Sequence, residues 1–140
     1  MLECGFQSTI FKVLASLKSK EPSVDKIEIH VRHGKVAEGM VDDGFREQCL
    51  WHGRYIVPEG LAVRVVRWDE VTFGDWLHDR YLLTDIGGVE IAGGWRAGRS
   101  TDTTRISLLG KDVNDELFRR FSLNSTAYKQ VDEPPICIQP

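Results

Sequence analysis

His78-Asp79-Arg80-Tyr81-Leu82-Leu83-Thr84-Asp85 sets an imidazole, a guanidinium and a carboxylate at the spacing H-x-R-x4-D, inside a run that reads as a β-strand. Side chains on a strand alternate between faces, so His78 and Arg80, two residues apart, point to the same side of a sheet. Asp85 has the opposite parity and falls where Ile86-Gly87-Gly88 turns the chain, which makes it either a partner of the other two through a bend or a simple turn residue. Gly88 to Ala92 then returns as the second strand of a hairpin. Together the three groups suit a phosphoryl centre: one can attack phosphorus, one can hold its oxygens and one can orient the base.

Upstream the period switches twice. Phe6, Ile10, Val13, Leu14 and Leu17 recur at helical spacing, predicting a helix over residues 6–19 that Pro22 stops. Ile27, Ile29 and Val31 alternate with Lys26, Glu28, His30 and Arg32, a strand with one apolar face, and His33-Gly34 turns the chain. Val41, Phe45 and Cys49 at i, i+4 and i+8 predict a second helix over 39–51, and Pro58-Glu59-Gly60 punctuates before the β-branched run Leu61 to Trp68. Downstream, Thr103 to Leu109 reads as a strand, and Asp112 as the N-cap of a helix carrying Val113, Leu117 and Phe121. The segment 131–140, with Pro134-Pro135, is expected to be an irregular tail on a domain spanning residues 1–130. The order predicts an α/β fold with a mixed β-sheet flanked by helices.

The bulk properties exclude several classes. With 140 residues and 41% hydrophobic content the chain fits one core. Eighteen Lys plus Arg against 21 Asp plus Glu give −3, so no global field attracts nucleic acid or anionic lipid, and polyanion binding has to come from a local patch. Cys4, Cys49 and Cys137 are odd in number and scattered, which argues against a disulfide framework or a structural zinc and points to a reducing cytoplasm. No charged start precedes an apolar stretch, and no apolar run approaches the ~20 residues a membrane helix needs. A soluble protein, or a soluble piece of a longer parent protein with further domains, is expected.

The H-x-R-x4-D stretch resembles the H-x-K-x4-D signature of the phospholipase D superfamily, in its H-D-R form. The family's small-residue turn about six residues after the Asp corresponds to Ala92-Gly93-Gly94-Trp95, which keeps the glycines and lacks the family's Ser and Asn. The element order matches half of a phospholipase D-like fold, without the strand that usually opens it. The resemblance implies a phosphodiesterase in which His78 attacks phosphorus to form a phosphohistidine, Arg80 binds phosphate, Asp85 fixes an imidazole tautomer, and Gly93 and Gly94 join the phosphate site. It implies no metal and no cofactor.

Two signature imidazoles are needed in that chemistry, one neutral as nucleophile and one protonated as acid, and this chain carries one motif. A homodimer with the two strand ends meeting at a two-fold axis supplies the pair. Arg80 in place of Lys keeps phosphate binding through a planar, permanently charged fork. A rigid clamp that holds ground state and transition state alike does not speed chemistry, so turnover does not follow from binding.

The layout is also similar to the phospholipase D-like C-terminal domain that follows MIT domains, through Phe11-Lys12-Val13-Leu14, the strand Lys26 to Val31 and the step Leu77-His78-Asp79-Arg80. That likeness implies the alternative: a non-catalytic dimerisation module binding phosphorylated ligands or acidic phospholipid headgroups, with membrane association. Asp85 is not a dependable feature of that family. Between substrates, the lack of an amphipathic or basic docking segment favours a nucleic acid phosphodiester over lipid.

Arg96, Arg99 and Arg105, interleaved with Gly98, Ser100, Thr101, Thr103 and Thr104, can form an anion cradle or a solvated loop that Asp102 partly neutralises. His30-x-x-His33 and His52 lack a third ligand at metal spacing. Gly87-Gly88 and Gly93-Gly94 precede no Gly-Lys-Ser/Thr and are turns. Trp51, Trp68, Trp76 and Trp95 are expected in the core or at its rim, core packing being favoured, with Trp76 and Trp95 otherwise placed to wall the phosphate site.

Overall fold

Alternating β-branched residues at 27–31 and 63–66 make two strands that pair side by side, and this pair organises half of the chain. The computed structural model describes residues 26–33, 43–74, 76–77, 80–92 and 103–139. The helix expected over 6–19 lies outside the described residues, as do His78, Gly93, Gly94, Arg96 and Arg99. Strand β1 (Lys26–Arg32) runs parallel to β2 (Ala62–Glu70), in a register from Lys26 opposite Ala62 to Arg32 opposite Trp68. Helix α1 (Asp43–Ile56) connects them in sequence. Further on come β3 (Tyr81–Thr84), β4 (Gly87–Ile91), β5 (Ile106–Leu108), α2 (Lys111–Arg120), β6 (Tyr128–Gln130) and β7 (Ile136–Ile138). These elements form two sheets, one mixed and one antiparallel, with helices against them: an α/β fold.

Contacts gather the chain into two compact units, one drawing on Glu70–Tyr128 and the other on Phe11–Asp69 with Lys129–Pro140. In the second unit the sheet order is β1-β2-β6, and β7 also pairs with β2, antiparallel, Val63 facing Ile138 and Val65 facing Ile136. Val57, Leu61, Val63, Val65, Val66, Trp68, Ile136 and Ile138 are buried there. Helix α1 packs on β7, and it can come close because residue 53 is glycine: a Cβ there would stand 2.5 Å from Ile138 Cγ2.

The segment after Val131 corrects the expected irregular tail. Ile136 and Ile138 are fully buried, each side chain worth about 1.5–3 kcal/mol of burial. An ion pair delivers the strand to its place. Arg67 donates through Nε and Nη2 to the two carboxylate oxygens of Asp132, at 2.7 and 2.6 Å, and both side chains are buried. Its guanidinium also lies 4.8 Å from the centre of the Phe45 ring, and Val131 N–H donates to the Arg67 carbonyl. Charge, ring and backbone all converge on one arginine.

The polar face of the parallel pair is equally organised. Trp68 Nε1 can only donate, and it donates to His30 Nδ1 at 2.9 Å, so the neutral ring carries its proton on Nε2, toward Glu28 Oε2 at 3.4 Å. Glu28 Oε1 accepts from Arg64 Nη1 at 2.9 Å and pairs with Lys26 Nζ at 3.2 Å. Burial lowers the His30 pKa against the opposing pull of Glu28, with Arg64 adding to the lowering. Burial pushes Glu28 up, but Lys26 and His30 outweigh it and hold the carboxyl below its usual range.

Elsewhere the boundaries moved. Helix α1 ends at Ile56, later than expected, and Pro58 follows it. Helix α2 is capped by Gly110, not Asp112, which sits in its first turn as a carboxylate facing the helix dipole. Cys49 is buried and Cys137 is exposed, while Cys4 lies outside the described residues. Among the described residues no helix is long and apolar enough to cross a membrane.

Two outcomes follow for stability. Asp132→Ala leaves a buried guanidinium without its carboxylate and costs about 3–5 kcal/mol, read as a lower urea midpoint; an unchanged midpoint contradicts the pairing. His30 has a folded pKa below its unfolded value of about 6.5. The unfolded chain therefore takes up the proton first, so stability is complete above about pH 6.5 and falls as pH drops below it. Urea midpoints between pH 7.5 and 5.5 should decline in the native chain and decline less in His30→Asn.

Candidate functional site

The phosphate reading rests on the β3–β4 hairpin, whose geometry a two-residue turn dictates. Thr84 pairs with Gly87 across Asp85-Ile86, and Thr84 Oγ1 donates to the Gly87 carbonyl at 2.7 Å. Gly87 has φ +152°, open to glycine and rare for other residues. From this turn the register runs back through Leu83 opposite Gly88, Leu82 opposite Val89 and Tyr81 opposite Glu90. The strand begins at Tyr81, three residues later than the His78 start expected.

Pairing nevertheless continues one step past the strand ends. Ile91 N–H donates to the Arg80 carbonyl at 2.9 Å, and Ala92 N–H donates to the Arg105 carbonyl at 3.0 Å. Since β5 pairs with β4, with Ile91 facing Ile106, the order across this end of the sheet is Arg80, Ile91-Ala92, Arg105. Two strand spacings separate the arginine backbones, roughly 10 Å. Alternation puts Arg80 on the face of Leu82 and Arg105 on the other face, so the two bracket the sheet end. Both are exposed, and no described residue pairs with either guanidinium.

Asp85 occupies the opposite end. It is exposed in the turn, with all of β3 between it and Arg80, a distance of roughly 16 Å along the strand. The structure therefore sets the backbones of Arg80 and Arg105 at one end of the sheet, with their side chains on opposite faces, and leaves Asp85 at the other end, in the turn. His78, Gly93, Gly94, Arg96 and Arg99 fall outside the described residues, so Arg80 and Asp85 are the described members of the expected constellation.

The approach to the motif is anchored by a residue that the motif does not flag: Glu70 Oε1 accepts from Leu77 N–H at 2.9 Å. A carboxylate ending a β-branched strand carries no periodic signal, which is why it escapes a sequence reading. In the same loop Phe73 holds a left-handed φ of 64° and is fully exposed, and Trp76 is 78% exposed. Trp76 and Trp51 are thus surface residues, outside the core that was favoured over the rim for them, while Trp68 is buried. Trp95 lies outside the described residues.

The expected metal candidates are taken up locally. His30 is held by Trp68 and Glu28, and His33 Nδ1 lies 3.0 Å from Asp69 Oδ1. Among the described residues no group of three or more His, Cys, Asp or Glu side chains converges on one point.

Beneath the hairpin, Asn114 of α2 is buried and donates through Nδ2 to the Thr84 carbonyl at 3.3 Å. Its Oδ1 has no hydrogen-bond partner and lies against Gly88, where a Cβ would collide with it and come within 3.0 Å of Leu83 and Leu109 side-chain carbons. This contact sets the helix at glycine distance from the hairpin.

Compared with family models, curated proteins and solved structures, the chain finds no match.

Gly88→Val is expected to cost about 1–3 kcal/mol by overpacking, seen as a lower urea midpoint. A midpoint equal to that of the native chain contradicts the close approach of Asn114.

Proposed function

We propose that the chain is a phospholipase D-like module that binds a phosphoryl group at the sheet end through Arg80, acting as a homodimer in the cytoplasm. The observation that carries this reading is the availability of Arg80: exposed, without an acidic partner among the described residues, and placed by hydrogen-bonded backbone rather than by a loose tip. A guanidinium so placed offers two parallel N–H donors to phosphate oxygens. Arg105 stands at the same sheet end on the opposite face, so Arg80 is the guanidinium that holds the phosphoryl group in this reading.

Binding is favoured over catalysis because Asp85, the third member of the signature, lies a strand length from Arg80. The residue expected to fix an imidazole tautomer thus sits away from the phosphate end of its own chain. Metal-independent hydrolysis through a phosphohistidine at His78 is the second reading, supported by the H-x-R-x4-D spacing. The exposed Phe73 and Trp76, a few residues upstream of Arg80 in sequence, favour nucleic acid as the phosphodiester, since bases stack on such rings. Dimerisation belongs to both versions, because one chain carries one motif.

Inorganic phosphate and a short single-stranded oligonucleotide should each raise the melting temperature of the native chain, less so at high salt. Loss of the charge-assisted pair in Arg80→Gln, about 1.5–3 kcal/mol, should weaken binding at least tenfold. Binding indifferent to Arg80→Gln overturns the site. Hydrolysis of bis(4-nitrophenyl) phosphate in EDTA, abolished by His78→Ala, would decide for the phosphodiesterase; sustained binding without hydrolysis decides for the module. A monomer by sedimentation at micromolar concentration contradicts the dimer.

A further inference from the structure

Helix α1 shows a second face that packing of the sheet does not use. Phe45, Cys49, Gly53 and Ile56 face the sheet, whereas Glu47, Leu50, Trp51 and Arg54 recur at i, i+3, i+4 and i+7 and form a stripe along the helix. That stripe and Cys137, Ile138 and Gln139 line a groove of about 850 Å³, within the roughly 300–1,000 Å³ of typical ligand clefts. Trp51 is 58% exposed and Leu50 39% exposed, an apolar investment that no described neighbour covers.

The other wall is a sheet edge. β7 pairs with β2, and no other described strand pairs with it, so its outward N–H and C=O groups are a template for an added strand. An edge strand beside a helix is the geometry in which extended peptides bind by β-augmentation, backbone bonds giving affinity and pockets giving selectivity. The selecting groups are already arranged. Arg54 lies 4.2 Å from the Trp51 ring centre and 4.7 Å from that of Tyr55, and the two rings meet edge to face at 6.0 Å. Stacking immobilises the guanidinium while leaving its N–H donors unclaimed by any described carboxylate. Glu47, seven residues earlier and exposed, marks the groove's other end with the opposite charge, roughly 10 Å away along the helix.

We infer that the α1–β7 groove binds an extended peptide of a partner protein, which adds a strand to β7, sets an apolar side chain against Leu50 and Trp51 and pairs an acidic side chain with Arg54. The backbone edge specifies an extended chain, the rings specify an apolar residue, and the stacked arginine specifies a carboxylate. A basic residue toward Glu47 would complete the charge pattern. This site is independent of phosphate binding.

The test is selection of the full-length chain against a random dodecapeptide library displayed on phage. Enriched peptides should alternate β-branched or aromatic residues with a fixed Asp or Glu. Synthesised, they should lose at least tenfold in affinity when alternate backbone amides are N-methylated, and equally against Trp51→Ala or Arg54→Glu. Changing the peptide's acidic residue to Arg should restore binding to Arg54→Glu, a rescue that a misfolded variant could not show; thermal melts of both variants check folding. No enrichment over the Trp51→Ala, Arg54→Glu double variant, or affinity indifferent to N-methylation, overturns the inference. So does a dimer that Trp51→Ala converts to monomer, since a second copy would then occupy the groove.

Discussion

The two-residue turn at Asp85-Ile86 fixes the register of the β3–β4 hairpin, and the placement of every candidate phosphate ligand among the described residues follows from it. With Thr84 opposite Gly87, the chain can only put Arg80 opposite Ile91. The β4–β5 ladder then draws Arg105 to the same end. The same count sends Asp85 to the far end, so the constraint that places Arg80 is the one that separates the carboxylate from it. Asn114 against Gly88 secures the arrangement from below, because helix and hairpin meet where one residue has no side chain.

The other unit depends on a different economy of contacts. Arg67 is charged and buried, a state tolerated because Asp132 accepts two of its hydrogen bonds and Phe45 offers a ring face. That pairing carries the chain past Pro134-Pro135 to the edge of β2, where Ile136 and Ile138 enter the core and Gly53 lets α1 close on them. The helix is thereby left with a ring-and-arginine stripe next to an open strand edge. One buried ion pair thus underlies both the core of this unit and the groove on its surface.

Local patterns were legible and long-range ones were not. Alternation at Ile27, Ile29 and Val31, the β-branched run before Trp68 and the glycines after Asp85 each announce their element within a few residues, and each forms. β7 is three residues long behind two prolines, and what makes it a strand is Asp132 reaching Arg67, a contact invisible in local periodicity. Trp51 and Trp76 have the composition of core residues, and only the folded chain reveals them as surface. At the sheet end, the arginine of the motif was legible, as was the cationic character of Arg105. Their arrival at one end on opposite faces was not, because it depends on the pairing of strands distant in sequence.

The account turns on whether the Arg80 guanidinium is the group that meets phosphate. Correlation spectra of the arginine Nε–Hε pairs in 15N-labelled protein, recorded through a titration with inorganic phosphate, observe that group directly. The expected result is saturable movement of the Arg80 signal, with Arg67, locked on Asp132, unmoved. An Arg80 signal that stays in place while phosphate binds elsewhere would contradict it.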